Sequence, residues 1–150
     1  MTRYLSLSLF IVGVVLGGTL IGTATIPGEW YQGLAKPSFN PPNWIFGPVW
    51  TALYILIAIA GWRVWRANPM GAPIALWVMQ LALNFSWSPV FFAAQLPRVA
   101  LIIIVALLVV IVGFIASAWR EDRTAALLFL PYLAWVAFAT VLNTAIVLLN

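Results

Sequence analysis

Five apolar stretches follow one another along this chain, at about residues 4–26, 44–65, 73–95, 98–119 and 124–149. A helix needs about 20 apolar residues to cross a bilayer, and each stretch is long enough. Five such helices leave only short connections in 150 residues. Only 7% of the residues are charged and 65% are hydrophobic, whereas a soluble domain carries roughly 25% charge. The expected fold is therefore all-α: a polytopic membrane protein, a five-transmembrane-helix bundle, in one domain over residues 1–150. A barrel is excluded because its strands alternate polar and apolar residues, and Leu101 to Val112 shows no alternation. Arg3 ahead of the first stretch invites a signal-peptide reading. The stretch is too long for a signal core, and a small-residue cleavage pattern is missing.

The breaks differ in kind. Asn68-Pro69-Met70-Gly71 reads as a turn. Leu96-Pro97-Arg98 is so tight that the third and fourth helices should be antiparallel neighbours, and Arg120-Glu121-Asp122-Arg123 is a charged hairpin without net charge. The connection at 27–43 is much longer. It holds Gly28, Gly33, Pro37, Pro41 and Pro42 together with Trp30, Tyr31, Leu34 and Phe39. A long loop with apolar residues of its own is usually packed and often functional, so it is expected to cap the bundle.

Charge sets an orientation. Arg3, Arg63, Arg66, Arg120 and Arg123 gather at one end, Lys36 and Arg98 at the other. The bias places the N-terminus inside, and the long loop and C-terminus outside. The net +4 forms no basic stripe, so no nucleic acid is expected as a partner. There are no cysteines and no histidines. Disulfides, Cys/His metal sites, His-ligated haem and His acid–base chemistry are thereby excluded. The acids Glu29, Glu121 and Asp122 all lie in connections, which leaves no proton relay within the spans. No metal site and no cofactor are read.

Nine tryptophans call for an account. Trp30, Trp44, Trp62, Trp65, Trp77 and Trp119 lie near span borders, where indoles form an interfacial belt. Trp50, Trp87 and Trp135 lie deeper. By helical spacing Trp50 shares a face with Tyr54, Asn84 with Trp87 and Ser88, and Trp135 with Ala139 and Asn143. Amides at membrane depth turn toward the bundle interior. Two readings stand: an apolar pocket with polar anchors under the long loop, or hydrogen bonding between helices with no ligand. Pro48, Pro89 and Pro131 either kink their helices or widen the interior. Gly13-x-x-x-Gly17 and Gly18-x-x-x-Gly22 allow close helix approach, within one chain or between two.

Several segments resemble the TspO/MBR family (translocator protein, tryptophan-rich sensory protein). They are Trp30-Tyr31 with Lys36-Pro37, Asn40-Pro41-Pro42-x-Trp44, Pro48-Val49-Trp50-Thr51-x-Leu53-Tyr54, Asn84-Phe85-x-Trp87-x-Pro89-Val90-Phe91-Phe92 and Pro131-Tyr132-Leu133-x-Trp135-x-x-Phe138-Ala139-Thr140-x-Leu142-Asn143. The resemblance implies a five-helix bundle, commonly a homodimer, that binds porphyrins such as protoporphyrin and, in mitochondrial members, cholesterol and benzodiazepine-type drugs. It implies a pocket lined by Tyr31, Pro42, Trp50, Asn84, Trp87, Trp135, Ala139 and Asn143, to which helical spacing adds Tyr54. It also implies that Trp50 and Trp135 would be the reactive pair if the protein degrades porphyrin in light. The sterol motif of animal members needs a Tyr and then Arg or Lys after the fifth-helix Ala-Thr pair. Here Asn143 runs into Thr144-Ala145-Ile146-Val147-Leu148-Leu149-Asn150, with neither. The leading expectation is a membrane receptor or carrier for a porphyrin-type tetrapyrrole. The alternatives are a light-dependent porphyrin-degrading enzyme, and a structural or regulatory membrane protein without a small-molecule site.

Overall fold

The computed structural model describes residues 2–150, and among these there are helices and loops but no strands. In chain order the helices are α1 (Thr2–Ala24), α2 (Glu29–Gln32), α3 (Phe46–Ala67), α4 (Ala72–Ser88), α5 (Pro97–Glu121), α6 (Arg123–Leu128) and α7 (Leu130–Leu149). A 3₁₀ turn at Asn43–Ile45 leads into α3, and a π-turn at Pro89–Ala93 prolongs α4. They combine into five helices long and apolar enough to cross a membrane: Thr2–Ala24, Asn43–Ala67, Ala72–Ala93, Pro97–Glu121 and Arg123–Leu149.

The ends of the spans differ from the sequence expectation for local reasons. The first stops at Ala24, where the Thr25 hydroxyl bonds to the Ile21 carbonyl at 2.7 Å and to Ser88 Oγ at 2.6 Å. The third was expected to reach Gln95 and ends at Ala93. Pro89 has no N–H, its carbonyl accepts from Ala94 N at 2.9 Å, and Gln95 takes a positive φ of 59° that closes the turn. Pro97 begins the fourth span, in the position where a missing N–H costs nothing. Asp122 alone separates the fourth and fifth. Its carboxylate accepts from Ala125 N at 3.0 Å, which caps α6. The fifth span breaks at Phe129 because Pro131 cannot donate to the preceding turn.

Around the bundle α1 lies against α3, α3 against α6, α7 against α5, and α5 against α4, which closes the ring against α1 and α3. The third and fourth spans are thus antiparallel neighbours, as their tight connection requires. At one end the N-terminus of α1, the end of α3 and the α5–α6 corner meet: Trp62 Nε1 donates to Ser6 Oγ at 2.9 Å, and Arg63 pairs with Asp122 at 3.0 Å. In this half the core is solid, built on Ile57, Ala58, Ala60, Val64, Ile111, Phe114, Ala118, Ala125, Ala126 and Phe129, all fully buried.

The first span is held by little. Only Val14 and Gly18 of α1 are buried. A Cβ at Gly18 would overlap the Tyr54 ring, and one at Gly17 would meet Phe85, whereas Gly13 and Gly22 face open space. One glycine of each small-residue pair therefore serves packing within the chain.

Candidate functional site

Beneath the long loop the bundle is hollow. A cavity of about 520 Å³ is bounded by the second half of α1 and the residues just after it (Gly18 to Ile26), by Phe46, Trp50 and Tyr54 of α3, by Asn84, Trp87, Ser88 and Phe92 of the third span, by Ile104 and Leu107 of α5, and by Trp135, Val136 and Ala139 of α7. Tyr31 of α2 closes it from above. Its size falls in the range of roughly 300–1,000 Å³ typical of small-molecule sites.

Aromatic rings frame the space. Trp50 lies 5.4 Å from Tyr54 and 6.4 Å from Tyr132, between centroids. Trp135 meets Phe46 edge-on at 5.8 Å. Trp87 stacks on Phe91 at 5.0 Å and meets Phe92 edge-on at 5.8 Å, and Tyr31 touches Phe92 at 5.3 Å. The π-turn places Phe91 and Phe92 under the loop, which is why three aromatic residues from one short segment reach the same region.

Hydrogen bonding orders the polar side chains. Tyr54 OH donates to Asn84 Oδ1 at 3.3 Å, Asn84 Nδ2 donates to Tyr132 OH at 2.6 Å, and Tyr132 OH donates to Gln80 Oε1 at 2.8 Å. The chain runs from the cavity wall into the solid half. Trp87 Nε1 donates to Asn143 Oδ1 at 3.0 Å, and Asn143 Nδ2 donates to the Pro97 carbonyl at 2.9 Å, tying three spans together. Trp135 Nε1 is buried with no partner, although the ring lines the cavity. An unpaired buried donor is costly, and this nitrogen is enclosed by protein while the rest of its ring borders the void. The wall carries no carboxylate, imidazole or thiol. It can stack flat rings and exchange hydrogen bonds, but it cannot relay protons through acids or bases of its own.

The loop is tied near its middle to the last residue of the sequence. Asn150 Nδ2 donates to the Ala35 carbonyl at 2.9 Å, and Ala35 N donates back to Asn150 Oδ1 at 3.0 Å. Lys36 Nζ sits 4.4 Å from the Tyr31 ring centroid. Burial pushes the Tyr31 phenol above its ordinary value of 10.0, with the Asn40 side chain pulling the other way.

The sequence matches the TspO/MBR family over residues 8–149. The chain belongs to that family. It is 43% identical to the tryptophan-rich protein TspO of Chlorobaculum tepidum, covering 83% of this chain and 82% of that one. It is 39% identical to the human translocator protein, covering 84% and 79%, and 37% identical to the tryptophan-rich sensory protein of Cereibacter sphaeroides, covering 86% and 82%. Five spanning helices and membership of the TspO/MBR family make it an integral membrane protein.

Of the residues expected at the pocket, Tyr31, Trp50, Tyr54, Asn84, Trp87, Trp135 and Ala139 line the cavity. Two do not. Pro42 is exposed, and its carbonyl accepts from Ile45 N at 3.1 Å to start the 3₁₀ turn, so it shapes the entry to α3 rather than the wall. Asn143 is buried beside Trp87, to which it is hydrogen-bonded, and borders a smaller void of about 50 Å³ that shares Tyr31, Phe46, Trp87, Phe92 and Ala139 with the larger one. The belt expectation also needs correction at two tryptophans. Trp62 and Trp77 are buried: Ser6 accepts from the first, and Gly61 makes room for the second, whose N–H reaches the Ile57 carbonyl at 2.9 Å. Trp44, Trp65 and Trp119 are exposed, and Trp30 is half-buried against Phe91.

The wall formed by α1 and the buried pair Gln80 and Tyr132 were not singled out by spacing. Hydroxyls at Thr19, Thr23 and Thr25 within an apolar span were the available signal for α1, and Gln80 four residues before Asn84 was the signal for the network.

Proposed function

We propose that this protein is a membrane receptor or carrier that binds a porphyrin-type tetrapyrrole in the cavity under its first loop. The reading rests on one observation: a void of about 520 Å³ is met by indoles from three spans, Trp50, Trp87 and Trp135. Indole faces stack on a flat conjugated ring. A metal-free tetrapyrrole suits this wall better than haem, because the wall offers no imidazole or thiolate for iron. The resemblance to the family points to the same ligand class, while the missing Tyr and basic residue after Asn143 weigh against sterol recognition there.

In this reading the chain is oriented with its N-terminus inside, supported by the five arginines at that end against Lys36 and Arg98 at the other. It works as a homodimer, as the resemblance implies.

Titration of protoporphyrin into the purified protein, followed by tryptophan quenching, tests the site. Saturable binding is expected, with Trp50→Phe and Trp135→Phe each weakening it roughly 2- to 10-fold, the range for one aromatic contact. The exposed Trp65→Phe variant should bind like the parent. Parent-like affinity in both cavity variants would remove the assignment. Illuminating the same samples tests the enzymatic alternative: a new chromophore, absent in both variants, would mark pigment breakdown rather than binding alone.

A further inference from the structure

At the end of the bundle opposite the loop, Trp62 is buried, with its N–H on Ser6 Oγ at 2.9 Å; Ser6 Oγ donates in turn to the Arg3 carbonyl at 2.8 Å. The first turn of α1 and the last turn of α3 are thereby locked together. The guanidinium groups of Arg3 and Arg66 stand 5.8 Å and 4.9 Å from the centroid of that one indole ring. Two exposed like charges are gathered on one ring, and neither has a carboxylate partner.

The nearby acids do not supply one. Among the described residues the single ion pair is Arg63 with Asp122, and Asp122 also accepts from Ala125 N. Glu121, the other acid at this end, is exposed and pairs with no cation. The first turn of α1 contains no acid. Arg3 therefore stands at the positive end of the helix dipole, where a cation is unfavourable. An anion within reach of both guanidiniums would offset their charge and the unfavourable place of Arg3 at the helix start.

We propose that Arg3 and Arg66 form a headgroup site for an anionic phospholipid in the leaflet at this end. Guanidinium groups bind phosphate through paired N–H donors, which a single ammonium cannot do. The face of α1 that carries Arg3 continues inward through Phe10, whose ring lies 5.7 Å from that of the exposed Trp65 on α3, so the surface next to the pair is apolar. Phosphate above and hydrocarbon below describe a bilayer lipid rather than a free anion. A zwitterionic lipid would bring an ammonium group to two cations, so the site selects net negative charge.

Native mass spectrometry of the full chain, released from micelles holding phosphatidylglycerol and phosphatidylcholine in equal amounts, tests this. The parent should retain phosphatidylglycerol in preference by up to roughly thirtyfold, on the scale expected for two basic residues at an anionic surface. An Arg3→Gln/Arg66→Gln variant should lose the preference. An Arg120→Gln/Arg123→Gln variant removes equal charge from the same end and should keep it, because there only Arg123 meets an indole, Trp119. Equal retention of both lipids by the parent, or equal loss in the two variants, would overturn a defined site in favour of diffuse charge or none.

Discussion

The half of the bundle around the Arg63–Asp122 pair and the half beneath the loop are built from the same residue types, yet one is solid and the other hollow. The difference lies in what faces each large ring. In the solid half small residues, Ala58, Ala60 and Gly61 on α3 with Ala118 on α5 and Ala125 and Ala126 on α6, are buried at the helix contacts. Trp77 fits against Gly61 so closely that a Cβ there would overlap the indole, and its N–H is satisfied by the Ile57 carbonyl. In the other half Trp50, Trp87 and Trp135 stand on three spans around a void. The same side chain is core where a small residue receives it and wall where none does.

The largest expected contrast follows from that pair of environments. Trp77→Ala should lower the stability of the protein by roughly 3–5 kcal/mol, the usual cost of deleting a packed aromatic side chain. Trp135→Ala enlarges a space that already exists, so its cost should stay nearer about 1 kcal/mol. Unfolding in rising dodecyl sulfate, followed by helical circular dichroism, measures both. Equal losses would mean that Trp135 is packed as tightly as Trp77. The glycines give the next contrast. Gly61→Ala should cost roughly 1–3 kcal/mol by overpacking against Trp77. Gly22→Ala, with nothing within 4 Å of the added carbon, should be neutral or stabilising by about 0.4–1 kcal/mol.

This contrast also explains what could be read from the sequence. Span number and the antiparallel third and fourth helices follow from length and from Leu96-Pro97-Arg98, which are local properties. Trp50, Trp87 and Trp135 were separable from the belt because depth is counted in residues along a helix. Trp62 and Trp77 were not, because their burial depends on Ser6 and Gly61, residues 56 and 16 positions away. Asn143 was legible as a buried amide, but spacing alone could not say that its partner would be Trp87 rather than a ligand. The break of the third span was signalled by Pro89; its form as a π-turn was not, since that depends on how Phe91 and Phe92 settle under the loop.

The boundary between the halves is crossed by the chain from Tyr54 through Asn84 and Tyr132 to Gln80. Asn84→Leu removes the acceptor of Tyr54 and the donor to Tyr132, but leaves Tyr132 with Gln80. A loss of about 1–2 kcal/mol is expected, because one buried hydroxyl keeps a partner and the other faces the cavity. If binding of protoporphyrin survives while stability falls, the amide serves the scaffold. If stability holds while binding falls, it serves the ligand.

The smallest effect belongs to the cap. Asn150 makes a reciprocal pair of hydrogen bonds with the backbone of Ala35 at an exposed position, so Asn150→Ala should cost only about 0.5 kcal/mol of global stability. Its local consequence should be larger. The Ala35 amide loses its acceptor, and its hydrogen exchange should quicken while amides of the solid half, such as Phe114 on α5, keep their protection. Ligand release should quicken with it, since Tyr31 on the same loop closes the cavity from above. Unchanged exchange at Ala35 would show that the loop is held by Tyr31 against Phe91 and Phe92, and that the hollow half keeps its roof by packing alone.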